Sequence, residues 1–161
     1  VLRNLKSAIE SLYRNAQSKG YQPHSKHKKY LTVEDVRNIV QMTLDYRKQK
    51  FIFSLLEYAL NAKDSKCQFR LPRMVITTFD CCSDKTYQEK IRFCESIGLI
   101  KKVREYYRQE KRARTYVVNF SFGKDGVPVN SLEQGLKMIF DLETLQFRYS
   151  KWIYNKILRE G

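Results

Sequence analysis

The spacing of apolar residues changes from helical to strand-like at one glycine, Gly98, and that switch constrains the fold more than any other feature. Before it, Tyr87, Ile91, Cys94 and Ile97 recur every three or four residues, which predicts a helix over 84–97. A glycine just past such a stripe stops a helix, because it adopts the left-handed backbone conformation without strain. After it, residues 99–107 and 115–122 are rich in β-branched and aromatic side chains and predict two strands. Between them lies the charged turn Arg108-Gln109-Glu110-Lys111-Arg112-Ala113-Arg114. A helix, a glycine stop and a basic β-hairpin therefore follow one another directly.

The segment upstream completes a pattern. Ile52, Leu55, Leu56 and Ala59 form an apolar helical face running to about Ala62. Cys67-Gln68-Phe69-Arg70-Leu71 alternates as a short strand does. Pro72 suits the first turn of a helix covering Met74, Val75, Ile76 and Phe79. Cys81-Cys82-Ser83-Asp84 then supplies a turn and an N-cap.

Further helices flank this segment. Leu2, Leu5, Ile9 and Leu12 predict an amphipathic helix over 2–17, ended by Ser18-Lys19-Gly20. Thr32-Val33-Glu34-Asp35 is a near capping box, with Leu31 and Val36 placed as a hydrophobic staple. Val36, Ile39, Val40 and Leu44 continue that stripe. The polar interval 45–50 either separates two helices or is the exposed stretch of one. Beyond the loop 123–130, Ser131 and Gln134 cap a helix predicted to run to Leu158. Its apolar positions are Leu132, Leu136, Ile139, Leu142, Leu145, Tyr149, Trp152 and Ile153. Such a stripe must be covered, either by the N-terminal helices or by a second copy of the chain.

Charge narrows the function classes. The 161 residues hold 31 Lys and Arg against 17 Asp and Glu, a net charge of +14. Residues 1–50 contribute +7, 51–100 only +1, and 101–161 +6, so two basic regions flank a near-neutral middle. That distribution points to a polyanion-binding face on a packed core. With 42% hydrophobic and 13% aromatic residues, the chain is not a disordered basic tail. No apolar run approaches the length of about 18 residues that crosses a membrane, and residues 1–6 lack a signal-peptide core. An intracellular protein is expected, and the initial Val1 suggests a piece of a longer one.

Enzyme chemistry finds little support. The two histidines, His24 and His27, stand apart from Cys67, Cys81, Cys82 and Cys94, whose spacing lacks the paired form of a zinc site. Buried free thiols are the expectation, with no metal and no cofactor. No phosphate-cradling glycine loop and no nucleophile elbow is present, and Tyr106-Tyr107 has no flanking metal site. No catalytic residue is assigned.

Helix, short strand, helix, turn, helix and β-hairpin is the order of the winged helix-turn-helix family. The stretch Phe93-Cys94-Glu95-Ser96-Ile97-Gly98-Leu99-Ile100 resembles the exit of its recognition helix into the wing, and the basic hairpin 101–122 is similar to the wing itself. The resemblance covers about 48–122, under half the chain, and the turn Cys81-Cys82-Ser83 departs from it in lacking glycine. It implies an α+β, mostly helical fold. Helices and a basic loop occupy 1–47, a winged helix-turn-helix core 48–122, and a C-terminal helix that pairs two copies 123–161.

The implied function is sequence-specific binding of double-stranded DNA, as a transcription regulator or an origin-binding replication initiator. The other reading is an RNA-binding or protein-interaction winged-helix module of a larger assembly. Lys85, Thr86, Gln88, Glu89 and Arg92 fall opposite the apolar stripe of the recognition helix, where Gln and Arg suit base edges. In the wing, Lys101, Lys102, Arg104, Arg108, Lys111, Arg112 and Arg114 suit phosphates or the minor groove. Lys26, Lys28 and Lys29 form a flexible basic arm.

Overall fold

A computed structural model of the chain describes residues 28–72, 75, 79, 84–105 and 113–160. The predicted helix over 2–17, most of the helix after Pro72, the turn at 81–83 and the hairpin tip at 106–112 lie outside those residues.

The first described helix, α1 (Val33–Met42), starts where its cap predicts. The Thr32 hydroxyl accepts from the Asp35 amide, and the Asp35 carboxylate accepts from the Thr32 amide at 2.8 Å. The other Asp35 oxygen accepts from the Gly123 amide at 2.9 Å, so this cap also fastens the loop that follows the hairpin. Leu31 and Val36 are buried beside it. The polar interval separates two helices: the backbone turns extended at Thr43, and Asp45 caps α2 (Tyr46–Ala62) through the Arg47 amide. Leu44 sits in that break and is exposed, although the stripe assigned it inward. The helix therefore begins at Tyr46, just before 48.

Helix α2 is the central post. Phe51, Ile52, Leu55, Leu56 and Ala59 are buried along it. It packs against α1, against β1 (Gln68–Arg70) and against α3 (Asp84–Ser96). The hairpin consists of β2 (Ile100–Arg104) and β3 (Thr115–Val118). The three strands form one antiparallel sheet in the order β1-β3-β2. Phe69 pairs with Tyr116, and both turn inward. The register shifts between Lys102 and Arg104, so that Arg104 and not Val103 is the partner of Thr115.

Gly98 ends α3 with φ of +77°. The Leu99 amide donates to the Cys94 carbonyl and the Gly98 amide to the Glu95 carbonyl, the paired bonds of a glycine C-cap. A Cβ at Gly98 would meet nothing within 4 Å, so its cost is purely conformational. Gly98→Ala is expected to destabilise by about 1 kcal/mol, read by urea unfolding; an unchanged midpoint counts against the strained φ. Ile97, assigned inward by its spacing, is 40% exposed because the backbone leaves the helix there.

The C-terminal region corrects the sequence reading most. In place of one helix to Leu158 there are three: α4 (Leu132–Ile139), α5 (Leu142–Arg148) and α6 (Lys151–Glu160). Extended residues Phe140 and Tyr149 break the run. Asp141 recaps it through the Thr144 amide and Ser150 through the Ile153 amide. Leu145, Tyr149 and Ile157 are buried, but Leu142 and Trp152 are exposed at 58% and 61%. Helix α4 packs on α1, α2 and α6. Among the described residues the buried side chains run from Leu31 to Ile157 as one cluster, to which 31–46, 51–118 and 129–157 all contribute.

A buried polar cluster joins α4 to α2. Glu133 accepts from the Tyr46 hydroxyl and pairs with Lys50 at 3.3 Å; Lys50 also reaches Glu160 at 3.6 Å. The Tyr149 hydroxyl donates to Gln49 at 2.8 Å. Burial alone would raise the Glu133 carboxyl, but the Tyr46 hydroxyl, a backbone amide and the Lys50 ammonium hold it below its ordinary value.

Candidate nucleic-acid interface

Two surfaces carry the charged side chains singled out in the sequence. The first is the solvent face of α3. Ile91 and Cys94 are buried against α2 and the sheet, which leaves Lys85, Gln88, Glu89 and Arg92 exposed in one stripe at helical spacing. Thr86 is half-buried beside the stripe. Lys90 is buried, its ammonium 5.6 Å from the Phe51 ring centroid, and Lys48 sits 4.5 Å from that of Phe93. These cation–π contacts make two nearby lysines part of the packing of α3 on α2. Spacing gave no sign of either.

The second surface is the sheet and the base of its hairpin. Lys101 and Arg104 are exposed. Lys102 forms an ion pair with Glu105, and Glu105 also lies 3.6 Å from Arg114. One carboxylate thus neutralises part of the cationic base of the hairpin. Arg114 approaches the buried Tyr116 hydroxyl without an aligned hydrogen bond; burial pushes that phenol up, and the guanidinium opposes the shift. Arg70 on β1 joins this surface by register alone. Arg108, Lys111 and Arg112 lie outside the described residues.

The basic arm is held where it is described. Lys28 forms an ion pair with Glu57 at 2.9 Å and lies over the Tyr30 ring. The Lys29 backbone exchanges two hydrogen bonds with the Asn61 side chain, at 2.8 and 2.9 Å. Residues 28 and 29 are therefore fastened to the end of α2, where the sequence suggested a flexible arm. Lys26 lies outside the described residues.

Cys94 is buried, and burial, with Glu95 adding to it, pushes its thiol up to about 12. It is a packing residue, not a nucleophile. Cys67 is free and half-buried, at the start of β1 with φ of +61°. Among the described residues no group of three His, Cys, Asp or Glu side chains is placed to hold a metal ion. No helix among them is long and apolar enough to cross a membrane. No protein family, no curated protein and no solved structure matches the chain.

Proposed function

We propose that the chain binds double-stranded DNA through a winged helix-turn-helix core, with α3 as recognition helix and the hairpin as wing. The observation that carries the reading is the path from α3 through Gly98 into a sheet of order β1-β3-β2, whose first strand precedes α3 in sequence. That path leaves one face of α3 unpacked. A helix with its side chains is about 10–12 Å across and the major groove is about 12 Å wide, so such a face fits the groove. Gln88 and Arg92, one turn apart on it, are the side chains whose paired hydrogen-bonding groups match adenine and guanine edges. Lys85 and Arg92 are offset by Glu89 and Glu95 on the same helix, which favours base reading over general phosphate attraction there. Lys101 and Arg104 supply phosphate contacts.

The same reading extends to two chains per site. Leu142, Phe147 and Trp152 remain exposed on α5 and α6, and burial of such side chains against a second copy follows the two-fold habit of DNA sites.

The test is titration of the full chain against a duplex selected from a random library, with random duplex and RNA as competitors. Gln88→Ala or Arg92→Ala is expected to cost about 1–3 kcal/mol on the selected duplex and to relax preference at one or two base pairs. The stoichiometry of the same titration gives one or two chains per duplex. If both variants bind selected and random DNA as the parent does, α3 does not read bases; preferential binding to RNA overturns the duplex reading.

A further inference from the structure

A cleft of about 470 Å³ opens beside β1, away from the exposed stripe of α3. Its walls come from the end of α2 (Tyr58, Ala62), the turn at Asp64, β1 (Gln68, Phe69, Arg70), Arg104 and Thr115. Arg70 is paired with Thr115, and Thr115 with Arg104. Residues directly opposite across strands point to the same face, so the two guanidinium groups and the threonine hydroxyl form one row across the sheet. Two strand spacings set the arginine Cα atoms about 10 Å apart, close enough for two extended side chains to converge on one small anion.

Among the described residues neither Arg70 nor Arg104 forms an ion pair. Of the nearby acids, Glu105 is shared by Lys102 and Arg114, while Asp64 stands on the cleft wall with Oδ1 accepting from the Lys66 and Gln68 amides, both at 2.9 Å, and forms no ion pair with either arginine among the described residues. The aromatic side is fixed. Tyr58 and Phe69 meet edge to face at 6.2 Å, and the Tyr58 hydroxyl donates to the Arg70 carbonyl at 3.1 Å, which holds β1 against α2. Two arginines that form no ion pair among the described residues, with a hydroxyl between them in a cleft with one apolar wall, suit the charge and donor needs of a phosphate group.

We propose that this cleft binds a phosphate group between Arg70 and Arg104, with the Thr115 hydroxyl as a third donor. The phosphate belongs either to a nucleic-acid backbone or to a free phosphate ester. Arg104 is shared with the phosphate contacts proposed for the hairpin, but none of these side chains lies on α3, so the assignment does not depend on base reading by Gln88 and Arg92.

The experiment uses the full chain, with the amide resonances of Gln68 and Thr115 as local reporters. Inorganic phosphate, a nucleoside monophosphate, a single-stranded oligonucleotide and a duplex serve as probes. In the parent at least one probe is expected to shift both reporters. Arg70→Gln with Arg104→Gln is expected to weaken that probe by at least about tenfold, since each charge-assisted bond to phosphate is lost. Both positions are exposed, so the fold is retained, and an unchanged thermal melt checks this. Arg70→Lys with Arg104→Lys keeps the charge and removes the planar fork; it is expected to recover only part of the affinity. Loss confined to the oligonucleotide and duplex assigns the site to a backbone, and loss that includes the monophosphate or inorganic phosphate assigns it to a free ester. Equal binding of every probe by parent and Gln variant, or no shift of the reporters by any probe, overturns the proposal.

Discussion

Replacing Glu133 by Ala is expected to destabilise the protein by about 2–3 kcal/mol and to lower Tm by roughly 5–10 °C. Glu133 is only 2% exposed, yet it carries a charge, and that charge is met by Lys50 and the Tyr46 hydroxyl. Removing one member of a fully buried pair costs about 3–5 kcal/mol. The lower figure applies because Lys50 remains 27% exposed and keeps Glu160. The pH dependence follows from the direction of the Glu133 shift. Its carboxyl titrates lower in the folded chain than in the unfolded one, so the unfolded state takes up the proton first. The stabilisation is complete above the ordinary glutamate value, about pH 4.3, and is lost as pH falls through the depressed folded value. Lys50 is shifted the other way: burial lowers it, but Glu133 and Glu160 outweigh burial and raise it. Its contribution is present below the ordinary lysine value and fades only at alkaline pH above that. Glu133→Gln removes the charge at nearly constant volume. Urea unfolding at pH 7 and near pH 3.5 should therefore show a gap between parent and Gln variant that narrows in acid. A gap that is constant or widens would mean that the carboxylate is not what the cluster stabilises.

This cluster also shows where sequence reasoning stops. Glu133 follows a serine cap and has the pattern of a solvent-facing acid in a first helical turn. Its burial depends on Tyr46, 87 residues earlier, and no local spacing encodes that meeting. Arg70 and Arg104 are a second case, because strand register alone brings them to one cleft. By contrast, the Thr32–Asp35 cap and the Gly98 stop are legible, since each is completed within about five residues, whereas the polar interval 45–50 left a break and a continuous helix equally open until Asp45 proved to cap α2. The C-terminal helices are instructive in a different way. Their caps, Asp141 and Ser150, were present in the sequence, but each break keeps the next apolar residue at three- or four-residue spacing. A broken helix therefore imitates a continuous one, and the imitation is exposed only at Leu142 and Trp152, which face solvent.

The contact of α4 with α1 leads to the second large effect. Gly135 lies within α4 and is buried, and a Cβ built on it falls 2.6 Å from Val36 Cγ2 and 3.0 Å from Val36 Cβ. Contacts that short force the two helices apart, and Val36 has little room to yield because it is fully buried and β-branched. Two effects oppose each other in Gly135→Ala. Helix propensity favours alanine by about 1 kcal/mol, while overpacking of a tight contact costs about 1–3 kcal/mol. The steric side wins here, for a net loss of about 1 kcal/mol. Gly135→Val adds two methyl groups at the same contact and has weaker propensity than alanine, so about 3 kcal/mol is expected. The mechanism is separable by a second substitution. Val36→Ala alone leaves a cavity and destabilises, but combined with Gly135→Ala it removes the atoms that the new Cβ meets. The double variant should therefore be more stable than the sum of the single losses predicts, by at least about 1 kcal/mol in urea unfolding. Simple additivity of the two would show that Gly135 is retained for some property of the backbone and not for the approach of α4 to α1.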